Sequence, residues 1–125
     1  MIGDARSDGH VTITGLGAYV PERVVTNAEL AEMVDTSDEW IIERTGIRER
    51  RIAADSQALS DLSLPAIRQA LEQAGSDGTD IDLLIVATVT PDMMFPSTSA
   101  ILADQLGAKD AAAYDLSAEI GRAHV

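Results

Sequence analysis

A continuous run of apolar and β-branched residues, LLIVATVT, occupies residues 83–90. It shows no alternation with polar residues, which is typical of a strand buried on both faces of a parallel sheet. Pro91 ends the run, and the loop behind it carries Phe95 and Pro96. Since open α/β sheets bind their ligands at the carboxyl ends of strands, this loop is the first candidate for a functional site.

Two helix-start signals precede that strand. Thr26 and Thr36 are each followed three residues later by a glutamate, which is the spacing of a capping box. Apolar residues at helical intervals after Thr26 predict a short helix. A second helix is predicted over residues 37–45, with Gly46 as its end.

A longer helix is predicted between these elements and the buried strand, and it ends at Gly75. Proline is tolerated in the first turn of a helix but kinks a helix interior. Pro65 therefore leaves two starts open, Ser63 without a kink or Ser60 with one. The apolar stripe that predicts this helix consists of Leu59, Leu62, Ala66, Ile67, Ala70, Leu71 and Ala74.

Two further strands complete the predicted fold. Residues 11–20 are β-branched at their start and contain two glycines, and residues 111–117 follow a helix that begins at Ser97 and ends at Gly107. The order is strand, two helices, helix, strand, helix, strand. By the right-handed crossover rule, this order predicts an α/β fold whose parallel sheet is covered by helices on both faces.

Length, charge and cysteine content exclude several classes of protein. The chain has 125 residues, enough for one domain, and residues 1–10 are expected to be a flexible leader. The net charge of −12 argues against a nucleic-acid partner, because binding phosphates requires a basic face. The chain has no cysteine, and it has no apolar run of the ~18 residues that a membrane helix needs. We therefore expect no disulfide, no thiolate metal site, no membrane partner and a cytoplasmic location.

Basic residues concentrate in one short window of this acidic chain, at Arg44, Arg48, Arg50 and Arg51. Such a cluster is a candidate docking point for a small polyanion. The alternative is a helix end with solvated arginines. The residues alone leave both interpretations open.

The only tryptophan, Trp40, lies four residues before Arg44, so the two side chains share one face of the predicted helix. An indole and a guanidinium presented together can clamp a flat aromatic ring by stacking and cation–π attraction. The alternative is a tryptophan buried in the core with the stem of Arg44 lying over it.

Four segments resemble, in order and spacing, the start of the β-ketoacyl-acyl-carrier-protein synthase III family. They are VTITGLGAYVPERVVTNAEL at 11–30, DTSDEWIIERTGIRERRIA at 35–53, IDLLIVATVTPDMMFPSTS at 81–99 and AAYDLSA at 112–118. The motif DTSDEWI-x-x-RTGI-RERR is highly specific. The resemblance implies a thiolase-like fold built from two similar halves, with residues 11–118 forming an incomplete N-terminal part of the first.

The resemblance also implies a reaction. In the family, an acyl group passes from acyl-CoA to an active-site cysteine and then condenses with malonyl-acyl carrier protein, with loss of CO₂. Coenzyme A enters as a thioester substrate, no redox cofactor or metal is implied, and the full-length enzyme is a homodimer. Two alternatives stay open. One is a related condensing enzyme of polyketide or quinolone synthesis, and the other is a non-catalytic acyl-CoA-binding module.

Site residues carry over from the resemblance one by one. Trp40 and Arg44 match the pair that sandwiches the adenine of coenzyme A, and Thr36 matches a residue near the same nucleotide. Phe95 matches the residue that reaches across the family's dimer into the partner's acyl pocket and helps to set acyl length. For Phe95 the alternative is ordinary core packing at a loop turn. The remaining arginines of the basic cluster are candidates for the phosphates but have no residue-level match.

The match breaks after Ala118. The family's nucleophilic cysteine would fall at position 120, which is Ile120 here. The family's catalytic His and Asn lie in its second half, and His124 is expected to be an ordinary terminal residue. We therefore expect this chain to be an N-terminal fragment that cannot carry out the condensation.

Residues 119–125, EIGRAHV, are expected to be a non-native tail. They can be encoded by GAG ATC GGA AGA GCA CAC GTC, which is similar to the opening of a common sequencing-library adapter. Amplification across the junction after Ala118 from source DNA should therefore give a different continuation, with a cysteine codon within the next few residues. Recovery of the adapter-like codons followed by a stop in the genome would contradict this expectation.

Overall fold

The computed structural model describes residues 11–117, and these residues form two separate two-stranded sheets with four α-helices. The expected leader at 1–10 and the expected tail at 119–125, with Ile120 and His124, lie outside the described residues. In chain order the elements are β1 (Arg23–Thr26), α1 (Asn27–Met33), α2 (Asp38–Thr45), β2 (Glu49–Ile52), α3 (Leu59–Ala74), a 3₁₀ turn (Gly78–Asp80), β3 (Leu83–Ala87), α4 (Thr98–Leu106) and β4 (Ala112–Leu116).

Strands β3 and β4 pair in parallel, as predicted, with Leu83 opposite Ala112 and Ala87 opposite Leu116. Helix α4 is the crossover between them and contacts both strands. Strand β3 is shorter than the predicted run of 83–90. It ends because the hydroxyl of Thr88 accepts a hydrogen bond from the amide of Thr90 at 3.0 Å, which turns the chain away from the sheet.

Among the described residues this sheet is covered on one face, whereas the crossover rule predicts cover on both faces in the complete fold, as expected for an incomplete part of that fold. Its two strands alternate between half-buried and exposed positions along their whole length. One face carries Asp115, whose carboxylate accepts hydrogen bonds from the start of α4. Helix α4 covers this face. The other face has no cover among the described residues, and its exposed apolar members are Leu83, Ile85, Tyr114 and Leu116.

Buried hydrophobic residues lie on the covered side of this sheet and also at Val25 of β1 and Ile41 of α2. Leu102 of α4 is fully buried, and Ala103 and Ala108 beside it are almost so. Helix α3 packs on α4. An aliphatic core of this kind fits a chain with only one phenylalanine and one tryptophan.

Residues 11–20 do not form the predicted first strand of the sheet. The amides of Leu16 and Ala18 instead donate to the side-chain oxygens of Gln73 and Gln69 on α3, at 2.6 and 2.8 Å. Gly17 allows this approach, because a Cβ there would overlap the carbonyl oxygen of Ala66. Because the amides of Leu16 and Ala18 bond to side chains of α3, they are not available to pair with a neighbouring strand.

An antiparallel pair that the sequence did not predict joins β1 to β2, with Arg23 opposite Ile52 and Thr26 opposite Glu49. Strand β2 begins directly after Arg48 and carries Arg50 and Arg51 of the basic cluster. Its partner β1 was missed because four residues next to a helix cap give little periodic signal. The all-parallel prediction is corrected by this pair.

Most helix limits agree with the predictions. The Thr26 hydroxyl begins α1, the Ser97 hydroxyl begins α4, and Gly46, Gly75 and Gly107 end their helices with positive φ angles of 71°, 67° and 74°. Helix α2 is capped by Ser37 rather than Thr36, because the Ser37 hydroxyl accepts from the amide of Trp40 at 3.2 Å.

Helix α3 begins at Leu59, close to the earlier of its two predicted starts, and runs through Pro65. The side chain of Asp61 accepts from the amide of Ala58 at 2.8 Å and so stabilises this start. Within residues 11–117, no helix combines the length and the hydrophobicity that crossing a membrane requires.

The uncovered sheet face should make the chain self-associate, because contiguous exposed apolar residues and unpaired strand edges promote aggregation. Ile85→Lys places a charge in the middle of that face, where Ile85 is 45 % exposed. Sedimentation velocity at micromolar concentration should show large species for the unmodified chain and a shift towards monomer for this variant.

The matched control is Ser76→Lys, which adds the same charge at an exposed turn and should leave association unchanged. An unmodified chain that sediments as a monomer and unfolds cooperatively would contradict the prediction.

Candidate functional site

Helix α2 carries the candidate nucleotide clamp, and its first turn is well specified. Ser37 caps the helix, Asp38 and Glu39 place negative charge at the positive end of the helix dipole, and Arg44 lies in the last turn. Ile41 is the buried residue of this helix. The helix therefore packs through Ile41 and presents Trp40 and Arg44 on another side.

Trp40 and Arg44 are in contact, as their spacing predicted. The guanidinium carbon of Arg44 lies 5.3 Å from the centre of the Trp40 ring, within the range of a cation–π interaction. Trp40 is 54 % exposed, so the alternative of a core tryptophan is wrong. An exposed indole with a cation over it is a surface that a flat aromatic ring can stack on.

A depression of about 370 Å³ adjoins Trp40, and Asp35, Thr36 and Ser37 line it together with the indole. The hydroxyl oxygen of Thr36 is buried and has no hydrogen-bond partner among the described residues. A buried hydroxyl without a partner is costly in a folded protein. Thr36 thus lies beside Trp40, as expected, with spare hydrogen-bonding capacity.

The basic cluster does not converge on this site. Arg50 donates to the side-chain oxygen of Asn27 at 2.6 Å, and Arg51 donates to the carbonyl oxygens of Pro21 and Glu22, both at 3.3 Å. These guanidiniums are engaged in holding β2 to its surroundings. Of the four arginines, the structure brings only Arg44 onto Trp40.

A larger depression of about 650 Å³ lies elsewhere, with Tyr19, Arg23, Ile52 and Gln57 among its lining residues. None of the residues that match the family's site lines it, and Arg23 on its wall pairs with Glu29 at 2.9 Å. We do not assign it a function.

The loop after β3 presents an apolar tip. Phe95 is 89 % exposed and Met94 is 98 % exposed, so ordinary core packing of Phe95 is wrong for the described residues. Two hydrogen bonds fix the base of this loop. The amide of Asp92 donates to the Thr98 hydroxyl at 3.1 Å, and the Asp92 carboxylate accepts from the amide of Ser60 at 3.0 Å.

Asp115 of β4 fixes the other side of the same loop. Its two carboxylate oxygens accept from the amides of Thr98 and Ser99 at 2.9 and 2.8 Å, at the start of α4. Burial alone would raise the pKa of the Asp115 carboxyl, but the hydrogen bonds from Ser99 and Thr98 hold that pKa below its ordinary value. The ionised form therefore anchors α4 to β4.

The comparisons with known proteins agree with these observations. No protein-family model matches the chain. A curated β-ketoacyl-acyl-carrier-protein synthase III of Symbiobacterium thermophilum is 63 % identical over 108 residues, which are 86 % of this chain and 33 % of the relative. The chain is related to β-ketoacyl-acyl-carrier-protein synthase III. It spans about a third of the length of the curated relatives that it matches.

Solved structures of synthase III enzymes share the fold. The 3-oxoacyl-acyl-carrier-protein synthase III of Aquifex aeolicus superimposes with a TM-score of 0.78 at 45 % identity, over 83 % of this chain and 33 % of that one. A priming β-ketosynthase of the R1128 polyketide pathway also gives 0.78, at 42 % identity, over 83 % of this chain and 31 % of that one. The predictions of a synthase III resemblance and of an incomplete thiolase-like fold are confirmed.

Three residues that support the site were missed from the sequence: Asn27, Asp92 and Asp115. Each bonds to a residue more than ten positions away, so no local spacing reveals it. A signal existed for Asp115, because it is the only charged residue in the predicted strand 111–117. A charge in a half-buried strand requires a partner.

Asp115→Asn should destabilise the chain by roughly 2 kcal/mol at neutral pH, since hydrogen bonds to a charged group contribute about 1.5–3 kcal/mol. Because the pKa of Asp115 is lowered on folding, its contribution is present above the ordinary carboxyl pKa of about 3.9 and is lost as the pH falls through the lower, folded value. Urea unfolding followed by circular dichroism should show a gap between the two proteins that closes in acid.

Asp110→Asn is the matched control, because Asp110 is exposed and lies just before β4. It should leave the unfolding midpoint unchanged. A gap for Asp115→Asn that is equally large at acidic and neutral pH would show that the charge of Asp115 is not what stabilises α4.

Proposed function

We propose that this chain carries the coenzyme A-binding part of a β-ketoacyl-acyl-carrier-protein synthase III. In this proposal, the Arg44 guanidinium, which lies 5.3 Å from the centre of the Trp40 ring, moves outward to admit the adenine of acyl-CoA, and the two side chains then hold that base between them. The contact between the Arg44 guanidinium and the exposed Trp40 ring is the observation that supports it best. A planar, electron-rich base gains stacking from the indole and attraction from the cation.

Two neighbouring features support the same ligand. Thr36 lines the depression that adjoins Trp40, so a nucleotide placed in that depression lies beside it. Phe95 stands out at the tip of a loop with a fixed base, as a residue that inserts into a partner's acyl pocket must. We propose the acyl-pocket role for Phe95 and the nucleotide role for Thr36.

The proposed reaction is the transfer of an acyl group from coenzyme A to a cysteine, followed by condensation with malonyl-acyl carrier protein and loss of CO₂. We propose a homodimer as the working assembly, a coenzyme A thioester as substrate without a further cofactor, and a cytoplasmic location. The chain of 125 residues contains no cysteine, and Ile120 stands at the position expected for the nucleophile. This polypeptide alone is therefore proposed to bind the substrate without forming an acyl-enzyme.

A second candidate is a priming condensing enzyme of secondary metabolism. It is favoured by the match to the R1128 priming β-ketosynthase, whose TM-score of 0.78 equals that of the Aquifex aeolicus enzyme. Both candidates use the same nucleotide clamp and differ in the acyl group that they accept. Comparing acetyl-CoA with longer and branched acyl-CoA on a chain that continues past Ala118 would separate them.

Coenzyme A should quench the emission of Trp40, which is the only tryptophan and therefore an unambiguous reporter. Arg44→Ala should weaken the affinity about tenfold, because a partly desolvated cation–π contact is worth about 1–2 kcal/mol and 1.4 kcal/mol is a factor of ten. Fluorescence titration measures the coenzyme A affinity of the unmodified chain and of Arg44→Ala. Isothermal calorimetry measures Trp40→Ala, which should bind at least as weakly.

Arg68→Ala is the control, because it removes the same charge from an exposed position of α3 outside the clamp. It should leave the affinity unchanged. Pantetheine, which lacks the adenine, should not quench Trp40. The proposal is wrong if millimolar coenzyme A leaves the emission unchanged, or if Arg44→Ala and Arg68→Ala bind it equally well.

A further inference from the structure

The side chain of Asn27 connects the clamp helix to the rest of the fold. Asn27 is the first residue of α1, and it is 1 % exposed. A buried amide needs partners for its two N–H groups and its oxygen. The structure supplies all of them, and each comes from a different element or loop.

The two N–H groups of Asn27 bond at the start of α2 and just beyond its end. Its Nδ2 donates to Oδ1 of Asp38, the first residue of α2, at 2.7 Å. The same nitrogen donates to the carbonyl oxygen of Ile47, two positions beyond the last residue of α2, at 2.8 Å. One amide thus holds the start of the clamp helix and the chain that leaves it.

The acceptor of Asn27 faces the other way. Its Oδ1 accepts from Nη2 of Arg50 on β2 at 2.6 Å, and the neighbouring Nη1 of Arg50 reaches the carbonyl oxygen of Thr26 at 3.5 Å. Arg50 lies in the strand pair formed by β1 and β2. The amide therefore links α2 to that strand pair through a charged hydrogen bond, which is stronger than a neutral one.

We propose that Asn27 is a positioning residue of the nucleotide clamp. It fixes the position and the rotation of α2 relative to α1 and β2. It thereby determines where Trp40 and Arg44 lie relative to the depression beside Thr36. This inference rests on the proposed coenzyme A site. Asn27 does not itself line the depression, so it acts through Asp38 and Ile47 and not on the ligand.

Asn27→Asp is the informative variant. It keeps the acceptor for Arg50 but sets a carboxylate against that of Asp38, where the amide now donates at 2.7 Å. We expect about tenfold weaker binding of coenzyme A, together with faster local motion of Trp40 in time-resolved fluorescence anisotropy without ligand. The double variant Asn27→Asp with Asp38→Asn restores a donor and an acceptor between residues 27 and 38 but not the bond to the carbonyl oxygen of Ile47, so it should recover part of both quantities.

Asp77→Ala is the control that shows whether lower stability alone weakens the binding of coenzyme A. Asp77 caps the 3₁₀ turn through bonds of 2.7 and 2.6 Å to Thr79, outside the depression beside Trp40. This variant should lower the unfolding midpoint without changing coenzyme A affinity or Trp40 motion. If Asn27→Asp shows no native helical signal, Asp38→Ala replaces it, because it removes one of the three bonds and should give a three- to fivefold loss.

The outcomes separate the two proposals. Unchanged Trp40 motion and coenzyme A affinity in Asn27→Asp would overturn the positioning role, as would an equal loss of affinity in Asp77→Ala. If Arg44→Ala binds coenzyme A as well as the unmodified chain, the proposed function fails. The ligand-free anisotropy then still decides whether Asn27 positions α2.

Discussion

The carboxylate of Asp115 ties strand β4 to the start of α4, the helix that connects the two parallel strands. It accepts from the first amides of α4 at 2.8 and 2.9 Å while lying on β4. The first amides of a helix have no partner within the helix, so a charged acceptor there supplies a strong bond at a specific place. Asp92 adds a link from the loop to the start of α3. The tip with Phe95 is therefore exposed and still held at its base.

The clamp helix α2 is likewise held in place by hydrogen bonds to one side chain, the neutral amide of Asn27. Asn27 donates to Asp38 and to the carbonyl oxygen of Ile47 and accepts from Arg50. In both regions the residues proposed to meet a ligand are exposed, and the residues that place them are buried or half-buried polar groups with full partners. Precision at such a site comes from the supporting hydrogen bonds more than from the contacting side chains themselves.

Local signals in the sequence predicted local structure correctly. Caps such as Thr26 and Ser97, the glycines that end helices, and the contact of Trp40 with Arg44 all depend on residues within a few positions of one another. Features set by distant residues were missed or wrong. Residues 11–20 looked like a strand because β-branched composition does not reveal that Gln69 and Gln73 take their amides. The apolar run of β3 indicates a strand that is buried on both faces in the complete fold, and one of those faces is uncovered among the described residues.

Two of the surfaces on which the chain exposes hydrophobic residues differ in kind. Trp40 carries a cation over its ring and borders a depression with polar walls, so water solvates much of that site and a polar, aromatic ligand can replace the water. The uncovered sheet face presents Leu83, Ile85, Tyr114 and Leu116 side by side. Each square ångström of such surface gains about 25 cal/mol when it leaves water. The first surface is thus suited to a ligand that dissociates, whereas the second is stabilised only by extensive protein contact.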